Sequence, residues 1–409
     1  MSDCIKDNVG ATAEKLSRSL VFIMAAASGL TIANIYYVQP LLQQMADYYQ
    51  ISESYAGLIA TSTQVGLALG LFFILPLADT VEKRGLILTM IVLETFFLLL
   101  LYFSGSLYIA IISSLGIGFC STVPQLLIPL GAQLSHPSQR GEVIGSIMSG
   151  LLTGILLSRV ISGFIGEYTS WKNIYLLSAI VMVLLVAVLR CKLPKTPAIS
   201  KLTYAESMKS LPVLLHKFPV VSKISFIGAM VFFAFSAFWT ALTFFLESPA
   251  YRMGADVAGL FGLVGVVGAA LSPVAGKISD KKGPRFTIGI CIVILLVSYI
   301  VFAAFGFALW GLILGVILLD LGVNSCNVSN QTQIHQLSET ARNRLTSIYM
   351  VSFFVGGALG SELAAVSYEH FGWLGVCCIG FISQVLAMAV HMANKDKQAK
   401  ESKKPCLGH

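Results

Sequence analysis

Long apolar runs separated by short polar clusters repeat along the whole chain. Twelve of them approach the length, about 20 residues, that a helix needs to cross the hydrocarbon of a bilayer. They fall near 20–42, 55–78, 86–104, 107–131, 143–166, 173–190, 222–246, 256–277, 287–305, 308–331, 345–368 and 373–392. Strict apolar/polar alternation, the mark of a membrane barrel, is missing, so the backbone hydrogen bonds must close within helices. The pattern predicts an all-α polytopic membrane protein with twelve transmembrane helices. A polar stretch with Pro194, Pro197, Pro212 and Pro219 divides the runs six and six and reads as a partly helical connection. The expected organisation is an N-terminal six-helix bundle over 1–190, a linker over 191–221, a C-terminal six-helix bundle over 222–394 and a basic tail over 395–409.

The two halves carry an internal repeat. Asp79 and Asp280 each follow an apolar run and precede a basic cluster, 201 residues apart. Aligning Trp171 with Trp373 sets a register of 202 that also places Arg140 on Arg342, Gly154 on Gly356 and Glu167 on Glu369. Pseudo-symmetric halves of this kind are one architecture of secondary transporters, which bind cargo near the bilayer midplane between the halves.

Composition agrees with lipid as the solvent: 56% of residues are hydrophobic and 11% charged, with a mean hydropathy of +0.81, against roughly 25% charged in soluble domains. Charge then sets orientation. With both termini inside, 24 of the 27 Lys and Arg residues lie on the cytoplasmic side, as the positive-inside rule requires. The net charge of +7 follows from this bias and gives no reason to expect nucleic acid as a partner. The first run is too long for a cleaved leader, and helix 1 is expected to stay. None of the eight cysteines falls in an outer loop or a CxxC pair, so neither a disulfide nor a metal site is expected. No phosphate-binding loop for ATP is present, no cofactor is called for, and no His or Ser constellation suggests an enzyme.

Several motifs carry a family resemblance. Gly276-Lys277-Ile278-Ser279-Asp280-Lys281-Lys282-Gly283-Pro284-Arg285 resembles the loop 8–9 signature of the major facilitator superfamily, G-x-[LI]-x-D-[RK]-x-G-x-R. The loop 2–3 copy, Leu77 to Arg84, keeps the aspartate and the basic end but lacks both glycines. Helix 5, Gly150 to Arg159, is similar to the antiporter motif, with Ile155 in place of its proline and Ser158-Arg159 in place of its closing glycines. Asn34 to Pro40, Gln331-Thr332 and Gly356 to Ser361 resemble a bacterial branch that includes sugar, nucleoside and drug exporters. The resemblance implies alternating access in the bacterial inner membrane, a monomer, and a cytoplasmic gate built on Asp79, Arg84, Arg140, Gly276, Asp280, Gly283, Arg285 and Arg342. It implies protons and a small organic molecule as partners alongside the bilayer. Proton-coupled export is the first reading. A proton symporter importing a metabolite or siderophore-like compound is the alternative, and a transport-inactive receptor is the alternative of another class.

Ionisable groups in the hydrocarbon zone are costly and tend to face a cavity or a partner. Four stand out: Glu94, Arg159, Asp320 and Glu362. Asp320, Asn324, Asn327 and Gln331 share one helical face, and a counterpart in helix 4 is read in Gly118, Ser121, Thr122 and Gln125. A desolvated carboxylate can load and release a proton as water access alternates, which makes Asp320, Glu94 and Glu362 the proton-coupling candidates. Asn34, Tyr37, Gln39, Gln125, Arg159, Trp239, Asn324 and Asn327 are the cargo-binding candidates. Arg159 is also a possible partner for Glu362. Tyr36, Trp171 and Trp373 are read as interfacial anchors. The glycines Gly259, Gly262, Gly265 and Gly268 in helix 8 are read as a packing and sliding surface.

Overall fold

The computed structural model describes residues 16–78, 80–136, 139–196, 203–270, 283–337 and 342–401, and all regular structure among them is helical. In chain order the helices are α1 (Arg18–Tyr36), α2 (Leu42–Tyr49), α3 (Glu53–Ala78), α4 (Lys83–Tyr102), α5 (Leu107–Cys120), α6 (Val123–Leu134), α7 (Arg140–Tyr168) and α8 (Asn173–Lys192). They continue with α9 (Tyr204–Lys217), α10 (Pro219–Glu247), α11 (Ala255–Ala270), α12 (Pro284–Phe305), α13 (Leu309–Leu337) and α14 (Arg342–Glu401). Ten stretches among the described residues are apolar and long enough to cross a bilayer. The last of them is two crossings in one, because Gly372 at φ 62° and ψ −157° breaks α14 into two limbs. The shorter apolar helix α11 supplies the remaining crossing, so the twelve expected spans are present.

Two spans are less regular than their apolar runs suggest. The first run breaks after Tyr36 into a 3-10 turn, Gln39–Leu41, before α2, because Pro40 has no N–H to continue the helix. The fourth breaks between Cys120 and Val123, ahead of Pro124. The linker helix α9 starts at a reciprocal capping box between Thr203 and Glu206.

Burial is organised in two clusters. One is built mainly on α10, α12, α13 and both limbs of α14, and the other on α1 to α8. Few residues cross over: Ile32, Ile35, Tyr36, Leu67, Ala68, Leu71 and Leu151 join the second-half cluster, while Phe244 and Ala365 join the first-half one. The molecule is thus two pseudo-symmetric helical bundles that meet along limited seams. Small residues make the seams possible: Gly57 of α3 lies against Ala365 of α14, and Gly163 of α7 lies against Ala255 and Gly259 of α11.

The repeat also holds inside each bundle. A Cβ built on Gly154 would overlap the backbone of Gly29 in α1, and one built on Gly356 would overlap the backbone of Ala229 in α10. Gly154→Ala and Gly356→Ala are therefore each expected to force two helices apart, at a cost of about 1–3 kcal/mol. A lowered melting temperature of the purified protein is the readout, and an unchanged one would mean that the seam yields freely.

Tyr36, Trp171 and Trp373 are not interfacial anchors; all three are buried. Trp373 stacks on Phe245 with ring centroids 4.2 Å apart and donates from Nε1 to the carbonyl of Phe302 at 3.0 Å. Breaks at the span ends fold these rings back into the bundle, where they gain packing that a lipid-facing anchor would not.

Candidate functional site

A cavity of about 1200 Å³ lies between the two bundles. At one end it reaches Lys83, Arg140 and Arg344, at the basic ends of α4, α7 and α14, and at its inner end it is lined by Tyr36, Arg159, Phe235 and Asp320. The stripe on α13 faces it in full, since Asp320, Asn324, Asn327 and Gln331 all line the wall. Within the stripe, Gln331 Nε2 donates to Asn327 Oδ1 at 3.1 Å, Tyr349 Oη donates to the same oxygen at 2.9 Å, and Asn324 Nδ2 donates to the Asp320 carbonyl at 2.8 Å.

The opposite wall departs from the expected stripe. Of Gly118, Ser121, Thr122 and Gln125, only Gln125 lines the cavity, beside Leu126, Pro129 and Gln133 of the same helix. The break between α5 and α6 turns Ser121 away to donate to Glu94, and Gly118 packs against the backbone of Thr63. Phe232, Phe235 and Phe353 supply the apolar surface, with Phe232 stacked on Phe353 at 4.0 Å and on Phe235 at 5.4 Å.

Arg159 is only 1% exposed. A buried guanidinium without partners would cost several kcal/mol, and its surroundings answer part of that. Nε donates to Gln39 Oε1 at 2.7 Å, and the cation sits 4.0 Å from the ring centre of Trp239, 5.0 Å from Tyr36 and 5.6 Å from Phe235. Such desolvated cation–aromatic contacts contribute up to about 2 kcal/mol. Nη2 remains buried with no protein partner, and so does Asp320 Oδ2. No direct hydrogen bond or ion pair joins Arg159 to Asp320. Both pack on the glycine face of α11: a Cβ built on Gly262 lies 3.2 Å from Arg159 Cβ, and one built on Gly265 lies 2.9 Å from Asp320 Oδ2.

The other ionisable candidates lie outside this cavity. Glu94 is fully buried within the first bundle, where Oε1 accepts from Asn34 Nδ2 at 2.8 Å and from Ser121 Oγ at 2.6 Å, while Asn34 Oδ1 accepts from Ser178 Oγ at 2.5 Å. Asn34 is therefore held in that network. Tyr37 lines a separate groove between α1 and α7. Glu362 accepts from Thr61 Oγ1 at 3.1 Å on the seam between α3 and α14, and Arg159 is not its partner. Gln39 and Trp239 act on the site through Arg159. Phe232 and Phe353 line the cavity without having been singled out in the sequence, and Tyr36, read as an interfacial anchor, lines it as well.

Of the gate residues, Asp79, Gly276, Asp280 and the Arg342 side chain lie outside the described residues. Arg84 donates to the carbonyl of Arg190. Arg140 is exposed at the cavity mouth, and Arg285 lies in the first turn of α12. Gly283 has φ 87° as the residue before α12, a left-handed conformation that accounts for glycine there.

The end away from the basic loops is closed by contacts between the halves. Thr243 Oγ1 donates to the Gln39 carbonyl at 2.8 Å. Glu167, at the end of α7, accepts from the Ala255 N–H that opens α11 at 3.1 Å. Its repeat mate Glu369, in α14, accepts from Ser54 N at 3.1 Å and Ser52 Oγ at 2.9 Å where α3 opens. Each carboxylate thus seats on a helix N-terminus of the other half, a contact worth about 0.3–1 kcal/mol. Glu167→Gln with Glu369→Gln is expected to open this end more often. A cysteine introduced at the buried Thr243 should then be alkylated several-fold faster than in the parent, and an equal rate would mean that the pair does not hold the closure.

The Major Facilitator Superfamily profile matches residues 21–361. An Escherichia coli protein named "Uncharacterized transporter YgaY" is 37% identical over 366 residues, which cover 90% of this chain and 93% of that one. A Helicobacter pylori protein named "Probable sugar efflux transporter" is 22% identical over 380 residues, covering 92% and 94%. The crystal structure of the nucleoside transporter NupG superposes with a TM-score of 0.75 at 15% identity over 91% of this chain and 99% of that one, a likeness of fold.

Proposed function

The chain belongs to the Major Facilitator Superfamily, and from that premise we propose that it exports a small organic molecule in exchange for protons by alternating access, with Asp320 as the coupling acid. One observation carries the reading: a buried carboxylate with an unpartnered oxygen lines the inner end of a cavity that both halves wall. An ionised carboxylate without a partner is costly at membrane depth, so the site favours occupancy by a proton or by cargo. Exchange of one for the other is antiport. Efflux in the name of a relative supports the outward direction.

In this reading the protein works as a monomer in the bacterial inner membrane with both termini cytoplasmic, and the cavity opens to the cytoplasm between the basic loops. Bundles over 1–190 and 222–394 rock about the seams at α3 and α11, with the linker over 191–221 between them and the tail at 395–409. The motif residues at Asp79 and Asp280, with Arg84, Arg140, Gly276, Gly283, Arg285 and Arg342, latch the cytoplasmic side when the cavity turns outward. Gln125, Arg159, Asn324 and Asn327 contact cargo.

Full-length protein in liposomes with an internal pH dye tests the proposal. Under a set pH gradient, pools of sugars, nucleosides, drugs and amino acids are added in turn. Solute movement coupled to protons moving the other way is expected. Solute and protons moving in the same direction, or solute moving without protons, would overturn it.

A further inference from the structure

Two buried groups of opposite charge share the inner end of the cavity, and each has a buried polar atom without a partner. Arg159 on α7 spends Nε on Gln39 and leaves Nη2 without a partner; Asp320 on α13 leaves Oδ2 without one. They come from different halves of the molecule and do not neutralise each other directly. Both pack on α11, Arg159 through Cβ at Gly262 and Asp320 through Oδ2 at Gly265. Both also line the same inner end of one cavity with no direct hydrogen bond or ion pair between them, which leaves a cation and an anion to be met by one small molecule.

We propose that the cargo is a zwitterion, with a carboxylate read by Arg159, an ammonium read by Asp320 and an apolar body lying on Phe232, Phe235 and Phe353. The inference rests on the antiport reading above and narrows it to amino acids, short peptides and compounds with the same pair of charges.

The chemistry on each side is specific. A guanidinium offers a planar fork that matches a carboxylate, and the rings of Trp239 and Tyr36 pack against this one at 4.0 and 5.0 Å. An ammonium is a compact charge with three donors, which suits the Asp320 carboxylate, whose Oδ2 has no protein partner. A neutral sugar satisfies neither charge, and a lone anion or a lone amine satisfies one while leaving the other buried and unpaired. Beyond the charged pair, the stacked phenylalanines form an apolar wall, and the Asn324, Asn327 and Gln331 stripe is left for polar groups further along the cargo.

The exchange balances. In the cargo-free state Asp320 carries the proton. As the ammonium takes its place, that proton leaves to the aqueous side then open, while Arg159 keeps its charge throughout and exchanges an empty site for the cargo carboxylate. One proton moves in for one net-neutral zwitterion out, so each cycle carries one positive charge inward and a potential negative inside accelerates export.

Binding is tested on the purified full-length protein in nanodiscs by calorimetry, with three probes sharing one apolar body: L-phenylalanine, 3-phenylpropanoate and phenethylamine. A panel of amino acids and dipeptides accompanies them. At least one zwitterion is expected to bind tenfold or more tightly than its deaminated and decarboxylated analogues. Arg159→Gln should remove the advantage over the amine and leave amine binding in place; Asp320→Asn should remove the advantage over the acid and leave acid binding in place. Arg159→Lys should restore part of the acid recognition. The proposal is overturned if no zwitterion on the panel outperforms both analogues, or if either substitution removes all probes alike in a protein that still runs as a single folded species. Asp320-dependent exchange of a neutral sugar or nucleoside, indifferent to Arg159→Gln, would also overturn it while leaving proton antiport standing.

Discussion

Asp320→Asn is expected to reduce solute-dependent proton flux to the level of empty liposomes while leaving the protein folded. Asparagine keeps the size of the side chain against Gly265, where a Cβ would already stand 2.9 Å from Oδ2, so the close approach of α11 and α13 survives. What it loses is the ability to release a proton, and no other carboxylate among the described residues lines the cavity. Removal of a buried, incompletely satisfied acid is not costly to stability, because the folded state no longer has to hold a carboxylate with an unpartnered oxygen. The melting temperature should therefore stay within a few degrees of the parent or rise, and the dye response to a gradient should vanish. Undiminished flux in the substituted protein would remove Asp320 from the coupling step and return attention to Glu94 and Glu362.

Much of this site was legible in the residues themselves, for a physical reason. A polar face on an otherwise apolar helix has few places to go in a bilayer, so Asp320, Asn324, Asn327 and Gln331 at helical spacing implied a cavity, and all four line one. The 202-residue register likewise anticipated that Glu167 and Glu369 are equivalent, and both seat on helix starts across the interface. Glycine spacing in α11 foretold close packing, which turns out to serve Arg159 and Asp320. What periodicity does not encode is which distant side chain meets which. The aromatic cage of Arg159 draws on Tyr36, Phe235 and Trp239 from two other helices, and the break before Pro124 rotates Ser121 away from the cavity toward Glu94. The apolar run through that break looks continuous because Pro is tolerated in membrane helices when neighbours re-satisfy the freed groups. Tyr36 and Trp373 passed for interfacial anchors because composition at a span end is the same whether the ring faces lipid or folds inward.

Glu94→Leu is expected to destabilise the first bundle by about 1–3 kcal/mol, with little effect from Glu94→Gln, and the contrast separates a structural carboxyl from a coupling one. Glu94 Oε1 accepts from Asn34 and Ser121, and Asn34 in turn accepts from Ser178, so one oxygen ties α4 to α1, to the α5–α6 junction and, through Asn34, to α8. Leucine strands the Asn34 amide and weakens the hold on the Ser121 hydroxyl in a dry core, and a buried donor without an acceptor costs about 1–3 kcal/mol. Ser121 keeps its second acceptor, the Ile117 carbonyl at 2.8 Å, which limits the total. Glutamine preserves the accepting oxygen and adds donors on the side of Oε2, which has no partner at present. Glu94→Gln should accordingly melt within about 1 kcal/mol of the parent and retain gradient-driven proton flux in the same liposomes that lose it with Asp320→Asn. If instead it stays folded and loses that flux, the proton path runs through the first bundle as well. Asp320 would then share the coupling step with a carboxyl that the cavity does not reach.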